Sequence, residues 1–113
     1  MDRVSNYRQI ICAFLEDFAQ FDSTVQLVFD ADRDRYLAIR NQWRGNDRTY
    51  GCAMQLDIIE SQVWIQQNST EIYVDRELIK LGVDPKDIVF GFRAPNISSR
   101  LTVALSESYN QPV

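Results

Sequence analysis

The spacing of apolar residues switches near Asp22 from helical to alternating, and that switch limits the fold more than any single motif does. Val4, Tyr7, Ile10, Ile11, Phe14, Leu15 and Phe18 recur at three- and four-residue intervals. This is the stripe of a helix with one apolar side. It predicts a helix over about residues 3–20, with Arg8, Glu16 and Asp17 mainly on the opposite side. That polar side is not rich in Lys or Arg, so the helix is expected to lie across a sheet and not on a membrane surface.

After Asp22 the period becomes two. Val25, Leu27 and Phe29 alternate with other residues in "TVQLVFD", which places them on one face of a strand. "DADRD" interrupts the pattern, "RYLAIRNQW" resumes it through Leu37, Ile39 and Trp43, and "RGND" supplies the next turn through Gly45 and Asn46. The longest strand, "RTYGCAMQLDIIE", sets Tyr50, Cys52, Met54, Leu56 and Ile58 on one face, and "VWIQQ" returns after Glu60, Ser61 and Gln62. So short a link permits only an antiparallel return. The expected fold is α+β: the N-terminal helix packs on an antiparallel meander sheet, with a short second helix and a further C-terminal strand, all strands antiparallel.

The stretch "NSTEIYVDRELIKLGVDPKDIVFGF" (residues 68–92) is dense in punctuation. Asp75 is placed to cap a helix over 75–81, and Gly82 to end it in a left-handed residue with Leu78 and Val83 in contact. Asp84 caps a second turn with Pro85 at its first position, where a missing N–H is harmless. "IVFGF" reads as a buried strand, "RLTVALS" as a candidate last strand, and residues after about 106 as a loose tail. At 113 residues the chain suits one domain spanning 1–113, with no repeat or linker.

Charge and residue usage narrow the function. Sixteen acidic and 12 basic residues give a net charge of −4, and the Arg residues are scattered. A duplex-binding domain carries a basic face, because neutralising phosphates supplies most of its non-specific affinity. Direct nucleic-acid binding is therefore disfavoured. Cys12 and Cys52 form no CxxC pair, the N-terminus lacks the apolar core of a signal peptide, and no stretch has the length to span a bilayer, so a cytoplasmic protein with reduced thiols and no membrane attachment is expected. The Asn-x-Ser/Thr sequences at Asn68 and Asn96 are then chance matches.

Chemistry-bearing patterns are few. The chain has no His, which removes Ser-His-Asp and Cys-His sites and the commonest metal ligand. Gly45, Gly51, Gly82 and Gly91 are too dispersed for a phosphate-cradling loop. Asp30, Asp32 and Asp34 begin like a calcium loop, but Arg35 and Asn41 occupy the positions that need Gly and Glu. A solvated turn is the better reading. Glu77 and Lys80, three apart on the short helix, read as a surface ion pair before they read as nuclease residues. No catalytic residue, cofactor or metal is expected. Trp43, Tyr50, Trp64, Tyr73 and Phe92 offer aromatic surface, with Trp43 and Trp64 the rings best placed for partial exposure at strand ends; aromatic surface with Arg nearby suits an interface centre.

The order of motifs resembles the XisI family, the fdxN element excision controlling factors of cyanobacteria. The similarity rests on "YRQII", "VFDADRDRYLAIRNQW", "RTYGCAMQLDI", "VWIQQNSTEI" and "ELIKLGVDPKDIVFGFRAP". Arg93 stands where the family leads one to expect a His, and the spacing within "PNISSRLTVALS" departs from the family's pattern. The resemblance implies a small α+β, non-enzymatic controlling factor for programmed excision of a DNA element, working with a XisH-like companion and a separate recombinase. Within the resembling segments Trp64, Glu71, Phe92, Arg93 and Pro95 are the candidate partner contacts, with core packing the competing role for Trp64 and Phe92. Homo-oligomerisation, a DNA-associated accessory factor using the scattered Arg residues, and an antitoxin-like inhibitor of the companion stay open.

Overall fold

A computed structural model describes residues 2–93. The first helix, α1 (Arg3–Gln20), starts where Asp2 accepts the Ser5 N–H at 2.7 Å, satisfying one of the orphan donors of the first turn. Four strands follow: β1 (Val25–Asp30), β2 (Arg35–Arg44), β3 (Asp47–Ile59) and β4 (Gln62–Asn68). The chain then forms α2 (Val74–Leu81), a 3₁₀ turn (Pro85–Asp87) and β5 (Ile88–Phe90). Strand order in the sheet is the order in sequence, β1-β2-β3-β4-β5.

The α1 stripe is where the periodicity puts it. Tyr7, Ile10, Ile11, Phe14 and Leu15 are buried against Tyr36, Ala38, Met54, Leu56, Ile58, Val63 and Ile65 of the sheet. Each large side chain buried this way contributes about 1.5–3 kcal/mol before conformational entropy is subtracted.

The expectation of an all-antiparallel sheet is corrected at its end. β1 to β4 form the antiparallel meander, but β5 runs parallel to β4, pairing Val63 with Ile88, Trp64 with Val89 and Ile65 with Phe90. A parallel neighbour cannot be reached by a hairpin, and α2 with the 3₁₀ turn supplies the crossover. The "IVF" strand is half-buried, an edge strand and not a central one.

Two side-chain assignments also change. The helix-facing residues of β2 are Tyr36 and Ala38, with Leu37 and Ile39 on the other face and Trp43 exposed. Tyr36 is buried because its hydroxyl reaches Asp34 at 2.8 Å, and Ala38 lets α1 approach. Along β3 the register shifts between Ala38↔Met54 and Ile39↔Cys52, leaving Ala53 as an extra residue. This bulge reverses the alternation. Met54, Leu56 and Ile58 enter the core, while Cys52 and Tyr50 fall on the opposite face.

The caps are mixed. Gly82 takes φ 119° and closes α2, with its N–H on the Ile79 carbonyl and the Val83 N–H on the Leu78 carbonyl, both at 3.0 Å, the paired bonds of a Schellman motif. Asp84 caps the 3₁₀ turn by accepting the Lys86 N–H at 3.1 Å. Asp75, in contrast, is not a cap. α2 begins at Val74, Tyr73 holds the cap position without a side-chain bond, and Asp75 sits inside the first turn. Pro95, Arg100, "RLTVALS" and the tail after about 106 lie outside the described residues.

Candidate functional site

β2 and β3 extend past their neighbours. Pairing with β1 ends at Val25↔Arg40 and pairing with β4 at Met54↔Asn68, so the pairs from Asn41↔Tyr50 to Arg44↔Asp47 stand as a two-stranded ribbon. Its turn has Gly45 at φ 60°, with Asn46 not in the left-handed region, the sign pattern that suits a right-twisted hairpin. One face of the ribbon carries Asn41, Trp43, Arg48 and Tyr50. The Arg48 guanidinium lies 5.5 Å from the Trp43 ring centre and 5.4 Å from that of Tyr50, and donates to Asn41 Oδ1 at 2.7 Å. Stacking of this kind is worth about 0.5–1 kcal/mol at an exposed site, which favours this arrangement of the three side chains without fixing it. Trp43 and Tyr50 are nonetheless 63% and 67% exposed. They form an exposed aromatic ridge.

A second feature lies on the helix side. Between the C-terminal half of α1 and α2 runs a groove of ≈ 740 Å³. Phe14, Phe18, Ile72 and Leu81 give it apolar walls, and Asp17, Asp22, Glu71 and Glu77 border it. The Thr24 hydroxyl and N–H hold the Asp22 carboxyl below the usual range, and Arg40 bonds it at 3.1 Å. Glu77 meets Lys80 at 3.3 Å, the surface ion pair expected from their spacing.

The residues singled out by the family resemblance do not converge on one surface. Glu71 is exposed at the groove. Trp64 lies in mid-strand on the face away from α1, pressed by Gly91, where an added Cβ would fall 3.1 Å from the indole and collide with Gln66 Oε1. Phe92 packs against the core and meets Phe90 edge to face at 5.9 Å, and Arg93 stacks over both rings. Among the described residues, Trp64 Nε1 and Arg93 Nε and Nη2 are buried without a hydrogen-bond partner. Sequence reasoning does not single out Arg48, the centre of the ridge, although the "RGND" turn makes Trp43 and Arg48 cross-strand neighbours and puts Tyr50 two residues further on the same face.

Several of the reactive groups are occupied or quenched. Asp34 accepts Arg8 Nε at 2.7 Å and Nη2 at 3.1 Å as well as the Tyr36 hydroxyl, which holds its carboxyl well below the ordinary range. Asp30 accepts the N–H groups of Asp32 and Arg33 within its own turn. Asp57, buried on the sheet's other face, accepts Gln55 Nε2 and Gln66 Nε2. Burial pushes the Cys12 and Cys52 thiols up, which keeps them protonated and weakly nucleophilic at neutral pH. No group of three or more Cys, Asp or Glu among the described residues is placed to hold a metal ion, and no helix there is long and apolar enough to cross a membrane.

A helix laid on one face of a five-stranded mixed sheet, with an exposed aromatic ridge and an open groove among the described residues, defines a small α+β fold. The chain belongs to the XisI family, whose model, described as XisI protein, matches residues 1–104. It is similar in structure to a XisI-like protein from Anabaena variabilis at 31% identity and a TM-score of 0.80, covering 86% of this chain and 94% of that one. It is also similar to the fdxN element excision controlling factor XisI from the same organism at 25% identity and a TM-score of 0.75, covering 89% of this chain and 96% of that one. Comparison with curated proteins finds no match.

Proposed function

We propose that this protein is a non-enzymatic controlling factor for excision of a DNA element, acting in the cytoplasm by binding a XisH-like companion protein. The excision role is carried over from the name of the similar Anabaena variabilis protein. The binding role rests on the Trp43–Arg48–Tyr50 ridge, an exposed and mutually stacked trio of the residue types that dominate interface energetics. Glu71, Trp64, Phe92, Arg93 and Pro95 are the further contact candidates, of which Glu71 alone is openly exposed among the described residues. The test is copurification of the tagged chain with a XisH-like protein, followed by titration. Trp43→Ala or Arg48→Ala is expected to weaken the complex about 30-fold, the scale of an interface anchor. Unchanged binding by both variants rejects the ridge as the contact.

The Arg48 guanidinium between the two aromatic rings, with Arg44 next along the same ribbon, favours a second reading, in which the ribbon contacts DNA. A gel shift by the purified chain alone, steeply weakened by salt and lost in an Arg44→Ala, Arg48→Ala double variant, establishes that reading. No shift at low salt removes it.

A further inference from the structure

We propose that the groove between α1 and α2 is a docking site for a cationic amphipathic helix of a partner protein. It goes beyond the function proposed above, because the groove belongs to the helix side of the sheet whereas the ridge continues the strand face that carries Ile39 and Cys52.

The groove's apolar line extends into solvent. Phe14, Phe18 and Phe21 follow one another at four and three residues along α1, the spacing of a continuous helical stripe. Phe14 is buried, Phe18 half-buried, and Phe21, at the C-cap, is 82% exposed. Phe18 and Phe21 together carry the stripe out of the core as apolar surface along the groove.

The rim specifies the sign of what covers it. No Lys or Arg lines the groove among the described residues, whereas Asp17, Asp22, Glu71 and Glu77 do. Asp22 and Glu77 are taken by Arg40 and Lys80 from outside the groove. Asp17 and Glu71 are exposed and have no side-chain partner among the described residues. Asp17 also stands in the last turn of α1, where no basic residue is present. A carboxylate there adds to the negative end of the helix dipole, the unfavourable arrangement. A cation from outside the chain corrects it, and the two carboxylates come from different parts of the fold, Asp17 on α1 and Glu71 ahead of α2, to border the same groove. Apolar walls with acidic edges are the complement of a helix that carries Leu or Ile at i, i+3/i+4 and i+7 and Lys or Arg beside them. The volume, ≈ 740 Å³, is within the range of about 300–1,000 Å³ over which clefts bury a ligand of several side chains' bulk.

The probe is a fluorescein-labelled lysine–leucine peptide of helical periodicity, with a scrambled peptide of equal composition and a glutamate–leucine peptide as controls, read by anisotropy. The helical cationic peptide is expected to bind and both controls to fail. The double reversal Asp17→Lys with Glu71→Lys is expected to weaken binding about tenfold or more, and Phe21→Ser to weaken it also. All three sites are exposed, so the variants keep the fold, and circular dichroism verifies it. Asp47→Lys, distant on the ribbon turn, leaves binding unchanged. Equal binding of the scrambled peptide, or indifference to the groove variants, overturns the proposal. So does a change of oligomeric state on Phe21→Ser without an effect on peptide binding, which makes a second copy of this chain the occupant. Companion capture by the ridge is read separately on the Trp43 and Arg48 variants, so failure of one idea is distinguishable from failure of the other.

Discussion

Glu60 and Ser61 turn the β3–β4 hairpin with both residues in the left-handed region, at φ 51° and 66°. Neither is glycine or asparagine, so each accepts an unfavourable backbone conformation for the sake of a two-residue turn whose twist matches the strands. The double substitution Glu60→Asn with Ser61→Gly supplies the residue types that such a turn favours. It is expected to raise stability by about 1 kcal/mol, measured as a higher urea midpoint at unchanged slope. Asp34 has a positive φ of 55° as well, but there the side chain is held by Arg8 and Tyr36. Its folded pKa is lowered, chiefly by the Arg8 hydrogen bonds, so the folded state binds fewer protons than the unfolded one below neutrality. The stabilisation is complete above the unfolded value of about 4 and disappears as pH falls through the lower folded value. Melting temperature against pH is therefore expected to drop on the acid side in the native chain, and to drop less in Asp34→Asn, which is already less stable at pH 7.

At the scale of elements, α2 depends on its ends. Gly82→Ala forces a Cβ into φ 119°, with Ile10 Cδ1 only 3.4 Å away, and is expected to cost more than about 1 kcal/mol in chemical denaturation. Gly91→Ala meets the flexible end of Gln66 and, at 3.1 Å, the Trp64 ring at normal backbone geometry, so its cost is steric and at the low end of overpacking, about 1 kcal/mol, visible as a changed indole fluorescence. Which parts of these elements are legible in the sequence follows from their physics. The α1 stripe and the Gly82 cap are local, so spacing and residue type reveal them. The faces of β2 and β3 are not, because apolar residues lie on both faces of β2 and the Ala53 bulge inverts the alternation, with Gly51 two residues before it as the one local hint. The cap expected at Asp75 falls two residues earlier, because Tyr73 fills that position without a side-chain bond. The groove leaves no trace in the sequence, since it joins residues of α1 to Glu71 and Leu81 across the whole meander.

Across the whole molecule one polar chain ties the two ends of the described fold. The Asp84 N–H donates to Tyr7 Oη at 3.2 Å, and the Tyr7 hydroxyl donates to buried Asp87 at 2.7 Å, where Arg3 also donates at 3.2 Å. Burial, and then Asp87, raise the Tyr7 pKa, so the hydroxyl stays protonated and the link persists throughout the neutral range. Tyr7→Phe leaves Asp87 without its shortest donor and is expected to cost about 1–3 kcal/mol, with loosened amide protection at both α1 and the 3₁₀ turn as the sign that the contact couples them.

The parallel strand has a consequence for how the molecule comes apart. β1 to β4 follow one another through tight links, whereas β5 joins through a helical crossover and only three ladder partners. Under mild destabilisation it is the segment expected to peel away first, leaving the meander intact and the free margin of β4 bare. Deuterium uptake should accordingly report two cooperative units, the faster one running from α2 through β5.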